Sequence, residues 1–522
     1  MVISAKALDA SAGEWAQYRA ECGWKIIRHE MPVAESSEAL AHQLRASIRA
    51  AHAQRATHGG DPFDVLLLGD VESIPTWMFR QTEPSLFDAD GPEYASDHPY
   101  QLIDEDDEIP DIALGRVALA SDAEARAVLA KIRTYESAGG AGHGEEIDFA
   151  SRRITYVAGE GRFGAADALM ESMFISMVDT LVPPAFDLTM TYASAKSVYC
   201  PPPSLLTESV LNRLGEGSLL FNYLGHGWER GFDSLHWMDE RIPILRVEDL
   251  ERLRCGPGQR PIALLTCCSA GWYDLPAGRP SLAEAMLLHS AGPVAVIAAS
   301  RPSHPYANTI LQKDVTQLLL VDQVITLGEL DLRAMQSMLK IDAVDRQIDT
   351  MARPLTSMMR LRGSLADCRL MHARMYNLLG DPAMVIRRPG LAIRDVEWRD
   401  GVVRGRVEGM SRGKIVITFE SARTSPVHSD LLQQPLGEGD ADLERKAIQN
   451  QPLANDRIIA RYDADVIDGA FQAAVTATPP PAATTVKLLA HGEDAAGHDV
   501  SAFGATPVSR LDTGSSARTS QP

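Results

Sequence analysis

Short apolar runs that stop abruptly at a glycine or a reactive residue recur from Asp64 to Ala299, with helical patterns between them. The runs are Asp64-Val-Leu-Leu-Leu-Gly-Asp70, Ile112-Ala-Leu-Gly-Arg-Val117, Arg153-Ile-Thr-Tyr-Val-Ala158, Ser218-Leu-Leu-Phe-Asn-Tyr-Leu224, Ile262-Ala-Leu-Leu-Thr266 and Val294-Ala-Val-Ile-Ala-Ala299. They are too short and too continuously apolar for amphipathic helices, and match strands of a parallel sheet buried on both faces. Ser121-Asp-Ala-Glu124 and Ser281-Leu-Ala-Glu284 open the intervening helices as capping boxes, and a longer helical pattern covers about 165–181. The alternation predicts an α/β fold with a mostly parallel sheet covered by helices.

Two composition shifts divide the chain. The glycine-rich stretch Gly139-Gly-Ala-Gly-His-Gly144 separates an N-terminal α/β subdomain, 1–140, from a second α/β subdomain, 150–388. After Arg387-Arg-Pro-Gly390 the pattern changes to strand candidates parted by turn-rich segments: Val402–Val407, Lys414–Phe419, Phe471–Thr476 and Thr485–Ala490. That spacing predicts a small immunoglobulin-like β-sandwich over 391–503. The segment 504–522 is dominated by Ser, Thr, Gly and Pro and is expected to be a disordered tail.

Charge narrows the possible partners. Lys and Arg number 50 against 70 Asp and Glu, a formal charge of −20 with no basic block, which argues against nucleic acid and anionic membranes. No run approaches the 20 or so apolar residues of a membrane helix. The start lacks a basic and then apolar signal pattern, so a cytoplasmic protein is expected. Six irregularly spaced cysteines fit no disulfide framework.

Two strand ends carry reactive groups: Leu224 leads into Gly225-His-Gly227, and Thr266 into Cys267-Cys268-Ser-Ala-Gly271. Ligands of open α/β sheets bind outside the carboxyl ends of the strands, so both loops can face one crevice. An imidazole promotes the thiolate of a nearby cysteine and then serves as its proton donor. Glycines let the backbone turn tightly and leave N–H groups able to stabilise an oxyanion. The same residues also suit a buried cysteine and an ordinary loop. A metal site built from His226, His236, Cys267 and Cys268 is a further alternative, though adjacent cysteines fit zinc spacing poorly. The chain contains no His-Glu-x-x-His and no Walker Gly-x-x-x-x-Gly-Lys.

Asn222-Tyr-Leu-Gly-His-Gly227 and Thr266-Cys-Cys-Ser-Ala-Gly-Trp-Tyr-Asp274 resemble the His and Cys motifs of the gingipain-type cysteine peptidases, in the caspase-like clan. The likeness extends to Leu67-Leu-Gly-Asp70 with Ile74-Pro75, to Ser96-Asp97 and Asp111–Val117 with the helix ending at Tyr135-Glu136, to Ser281–Ala285 with Val294–Ser300, and to Tyr376-Asn-Leu-Leu-Gly-Asp-Pro382. The resemblance implies a caspase-like sheet with a C-terminal immunoglobulin-like sandwich, and a cysteine endopeptidase. Cys268 would form the thioester, His226 would act as general acid/base, and the N–H groups of Gly227 and Cys268 would line the oxyanion hole. Cys268 rather than Cys267 fits the family's Cys-x-x-Gly followed by an aromatic residue. By the same resemblance Glu160 would orient the histidine, and Asp167 would line a pocket for Arg or Lys at the cleavage position. Trp272, Tyr273, His304 and Tyr306 are candidate pocket walls.

The resemblance implies no cofactor for the chemistry, but structural or regulatory calcium. Asp97, Asp104, Asp106 and Asp107, in an acid-rich stretch with Glu105 and Glu108, are the candidate ligands. The expected partners are a protein or peptide substrate and a regulatory protein. Two rival readings stay open: a catalytically idle scaffold of the same fold, and a metal-dependent hydrolase.

Overall fold

The structure is a computed structural model. It describes residues 1–511 apart from 33, 57–61, 81–92, 105, 138–148, 163–171, 173–174, 176, 257, 277, 354–362, 477–479 and 481. The apolar runs form the centre of a ten-stranded sheet, in the spatial order Arg28–His29, Val2–Ser4, Asp64–Leu68, Ala113–Val117, Tyr376–Leu379, Ala295–Ala299, Ile262–Thr266, Leu220–Leu224, Arg153–Gly159, Asp187–Ala193. Every residue of Asp64–Leu68, Ala113–Val117, Ile262–Thr266 and Ala295–Ala299 is buried, which accounts for their unbroken apolar character. The Ser121/Glu124 and Ser281/Glu284 caps both form as expected.

One joint breaks the parallel pattern. Tyr376–Leu379 lies parallel to Ala113–Val117 but antiparallel to Ala295–Ala299, with Ala299 opposite Tyr376. The sheet is therefore two parallel halves running in opposite directions, sewn together by a late strand. Sequence reading separates these halves near residue 140, yet the main apolar core takes residues from both, including Val117, Ile132, Ile154 and Phe221.

The C-terminal region forms a seven-stranded antiparallel sheet, in the order Ile393–Arg399, Val402–Val407, Ala470–Ala474, Ile458–Ile467, Arg412–Glu420, Thr485–Glu493, Asp499–Pro507. The hairpin strands Ile458–Ile467 and Ala470–Ala474 pair only at Val466↔Phe471 and Ile467↔Ala470. Beyond those pairs the sheet folds over a core of its own, centred on Val403, Ile417, Phe419 and Leu488, as a sandwich-like layer pair. The strand Asp499–Pro507 runs past the expected end of the sandwich at 503: residues 504–507, expected as tail, continue its pairing with Thr485–Glu493. A short helix, Val508–Leu511, follows it. Only 512–522 of the expected tail lie outside the described residues.

The segment between strands Arg412–Glu420 and Ile458–Ile467 reaches back to the loops and the small hairpin beside the large sheet. Met238 N donates to Glu438 O at 2.8 Å, Trp237 Nε1 to Asp440 O at 2.8 Å and Gly437 N to Ala195 O at 3.1 Å. A buried lysine, Lys487, joins the two sheets by pairing with Asp187 at 2.8 Å and Glu420 at 2.8 Å.

Candidate active site

The site follows from register. Leu224 lies opposite both Ala158 and Thr266, so three neighbouring parallel strands end at one level and release their loops side by side. Those loops begin with Glu160, Gly225-His226-Gly227 and Cys267-Cys268. Gly225 has φ +146°, and a Cβ there would meet Tyr223 Oη at 3.0 Å and Gly159 N at 3.1 Å. A Cβ on Gly227 would lie 2.7 Å from Cys267 Sγ and 3.1 Å from Cys268 O, so the histidine loop sits directly against the cysteine loop.

The main chain of His226 is pinned by Tyr223 Oη at 2.7 Å and Asp233 N at 3.1 Å, both donating to its carbonyl. Its Nε2 lies 2.7 Å from Gly161 O. A carbonyl only accepts, so Nε2 carries hydrogen and the lone pair of the neutral ring sits on Nδ1. Glu160 is half-buried and accepts from Ser194 Oγ at 2.6 Å, while its neighbour Gly161 makes the contact to the ring.

The adjacent cysteines have opposite environments. Cys267 is fully buried, and desolvation pushes its thiol well above the ordinary range. Cys268 is only partly buried; burial also raises its thiol, opposed by hydrogen bonds from Ser303. Ser303 N lies 3.4 Å from the Cys268 sulfur and Ser303 O lies 3.5 Å from it. Both main-chain groups of Ser303 thus face the sulfur. Ser269 follows in the left-handed region (φ 58°), a strained turn for a side-chain-bearing residue, held by Ser269 N donating to Arg301 O at 3.1 Å.

The expected pocket walls mostly face inward. Trp272 is partly exposed, stacked by the Arg301 guanidinium at 3.9 Å, which itself clasps Asp274 with two bonds of 2.7 and 2.6 Å. Tyr273 is buried and bonded to Thr76 Oγ1 at 2.8 Å. His304 is buried and caps the helix Pro305–Thr316. Tyr306 is buried between Arg369 Nε and Asp349 Oδ1, each at 2.6 Å. Asp167 lies outside the described residues.

The proposed calcium set does not converge. Asp97 is buried and forms a two-bond ion pair with Arg116 at 2.6 and 2.8 Å, whereas Asp104, Asp106 and Asp107 sit on an exposed loop. Among the described residues no three His, Cys, Asp or Glu side chains are placed to hold a metal ion. Neither the four acids nor the His226, His236, Cys267, Cys268 cluster therefore fits one.

Two other familiar spacings have different uses here. Gly159-Glu-Gly161-Arg-Phe-Gly164 has dinucleotide-loop spacing after a strand, but its Gly161 carbonyl contacts His226 and its Arg162 pairs with Asp233 at 3.3 Å. Gly409-Met-Ser-Arg-Gly413 has nucleophile-elbow spacing, yet Ser411 Oγ donates to Glu493 O and Asp494 O at 2.9 and 2.8 Å in a strand-to-strand connection. Sequence reading misses Ser303, although the carboxyl-end rule applied to Ala295–Ala299, the strand beside that of the cysteine, points to its loop.

A partly exposed thiol and an oriented imidazole thus stand at neighbouring strand ends, the groups a cysteine peptidase requires. Residues 1–387 match the model of peptidase family C25, and the chain belongs to that family, the gingipain-type cysteine endopeptidases. The fold is similar to the crystal structure of the Arg-specific cysteine proteinase gingipain R (RgpB), at 16% identity and TM-score 0.53, covering 97% of this chain and 96% of that one. It is also similar to the complex of Porphyromonas gingivalis RgpB pro- and mature domains, at 15% identity and TM-score 0.52, covering 97% and 99%. A structure described only as a protease gives 12% identity and TM-score 0.54, covering 97% and 96%. At these identities the structural likeness shows the fold. A search of curated protein sequences found no match.

Proposed function

We propose that the protein cleaves peptide bonds through a Cys268 nucleophile and a His226 general base, after Arg or Lys. The observation that carries the reading is the common level of Thr266 and Leu224, which sets the reachable Cys268 beside an imidazole whose Nδ1 holds the lone pair. In the first step the Cys268 S–H proton passes to Nδ1 and the thiolate adds to the scissile carbonyl. The resulting oxyanion is received by the N–H groups of Gly227 and Cys268. The imidazolium then protonates the departing amine as the C–N bond breaks, leaving a thioester that water hydrolyses with the imidazole again as base. Membership of the family, and the Arg specificity of gingipain R, support a basic residue at the cleavage position.

The test is a peptide-library cleavage profile on wild type, Cys268→Ala and Cys267→Ala. Cleavage after Arg or Lys that vanishes in Cys268→Ala and persists in Cys267→Ala is expected. The reverse pattern overturns the nucleophile, and cleavage after Asp or apolar residues overturns the specificity.

A further inference from the structure

The nucleophile's sulfur is held by main-chain atoms of Ser303, and Ser303 is itself fixed from two sides. On one side its Oγ accepts from Asn308 Nδ2 at 2.9 Å, and Asn308 Oδ1 accepts from Tyr376 Oη at 2.7 Å. On the other, the next residue donates its backbone N–H to His372: His304 N to His372 Nε2 is 2.6 Å. His372 is fully buried, and its Nδ1 lies 2.7 Å from Cys368 O. A nitrogen facing an N–H must accept and one facing a carbonyl must donate, so both contacts are satisfied by one species, the neutral Nδ1–H imidazole. Protonation would turn Nε2 into a donor aimed at another donor. Desolvation holds the ring far from that state, with its pKa lowered to about 3.

The two sulfur contacts have opposite polarity. An S–H donating to Ser303 O favours the thiol, whereas Ser303 N–H donating to sulfur favours the thiolate. When the proton leaves for His226, the carbonyl contact loses its hydrogen, and the N–H contact strengthens against the new negative charge. The loop thus holds the thiol at rest and supports the thiolate during attack, provided that Ser303 does not shift.

We propose that His372 is a positioning residue for the nucleophile: as a buried neutral acceptor for His304 N–H it fixes Ser303, whose main-chain N–H stabilises the Cys268 thiolate. The inference rests on Cys268 being the nucleophile. It adds to the dyad a second imidazole, one that touches neither substrate nor reacting atoms and whose tautomer holds the loop beneath the sulfur in place.

The experiment measures the pH dependence of Cys268 alkylation by iodoacetamide, with Cys268→Ala as background, beside steady-state hydrolysis of an Arg-containing peptide. In His372→Phe, which keeps a planar ring but no acceptor, the alkylation midpoint should rise by about one unit and kcat should fall about tenfold with KM little changed. His372→Gln, whose amide oxygen can accept, should recover part of both. Asn308→Ala loosens Ser303 from its other side and should move the midpoint in the same direction, so the proposal is still tested if His372→Phe does not fold. An unmoved midpoint in folded His372→Phe or Asn308→Ala overturns the proposal, as does loss of activity that merely follows the folded fraction. A wild type that is alkylated with the expected shifts but cleaves no peptide would instead overturn the peptidase reading and leave the positioning role intact.

Discussion

Gly227→Ala tests whether contact between the histidine and cysteine loops is what keeps residue 227 without a side chain. The added Cβ would stand 2.7 Å from Cys267 Sγ, closer than carbon and sulfur can pack, and 3.1 Å from both Cys267 Cβ and Cys268 O. The sulfur is therefore the main obstacle, and it is buried with no room to retreat. Overpacking of this kind costs about 1–3 kcal/mol, and the strain falls on the turn that carries the nucleophile. Cys267→Ala removes the obstructing atom at the expense of a small cavity, alone costing about 1–2 kcal/mol. In the double variant the Cβ at residue 227 meets only contacts that a shift of a few tenths of an ångström relieves. The double variant should therefore be more stable than the sum of the singles predicts, by about 1 kcal/mol or more in urea denaturation. Hydrolysis should follow: strongly reduced in Gly227→Ala, partly restored in the double variant, since misplacement near the reacting atoms is expensive in rate. Additivity within about 0.5 kcal/mol, with no recovery of activity, would refute the reasoning.

Other expectations follow from the buried charges. Asp97→Ala leaves the Arg116 guanidinium enclosed without its two-bond partner and should destabilise by about 3–5 kcal/mol, read as a lower denaturation midpoint; Asp97→Glu should recover little because the geometry is tight. Asp187 is held down to about 2 against its own desolvation, chiefly by Arg152 and then Lys487. A carboxylate depressed in the folded state stabilises fully above its unfolded pKa near 4, and that contribution is lost as pH falls through 2. Wild type should therefore lose stability between about pH 4 and 2 more steeply than Asp187→Asn; equal slopes would show that the contact between the sheets does not depend on this charge.

The sheet and the site's centre are legible because both rest on local patterns. A strand buried on both faces shows as an unbroken apolar run, and the rule that ligands bind beyond its carboxyl end suffices to bring the His226 and Cys268 loops side by side. The walls are less legible because side-chain direction is set by tertiary partners. Tyr273, Tyr306 and His304 sit near the right loops in sequence, but Thr76, the Arg369–Asp349 pair and a helix N-terminus draw them inward. Asp97 looks like one of several acids until Arg116, on the strand Ala113–Val117 of the large sheet, takes it. Ser303 and His372 act through backbone hydrogen bonds, which residue types do not advertise. Asp499–Pro507 hides for a related reason: its small residues, Ala502 and Ala505 among them, are buried by pairing and packing that residue types do not advertise, so composition imitates a linker.

The joint in the large sheet also bears on how the chain is made. Tyr376–Leu379 occupies the middle of the sheet but is the last of its ten strands to leave the ribosome. Until it arrives, the nascent chain carries two half-sheets, with hydrogen-bonding edges at Ala113–Val117 and Ala295–Ala299 that only this strand fills. Open apolar edges recruit other chains. Synthesis halted between residues 300 and 375 should thus yield aggregating fragments, even though the sites of both Cys268 and His226 have been translated. A complete peptidase centre would then exist only after the central strand has closed the gap, so order of emergence delays the onset of cleavage.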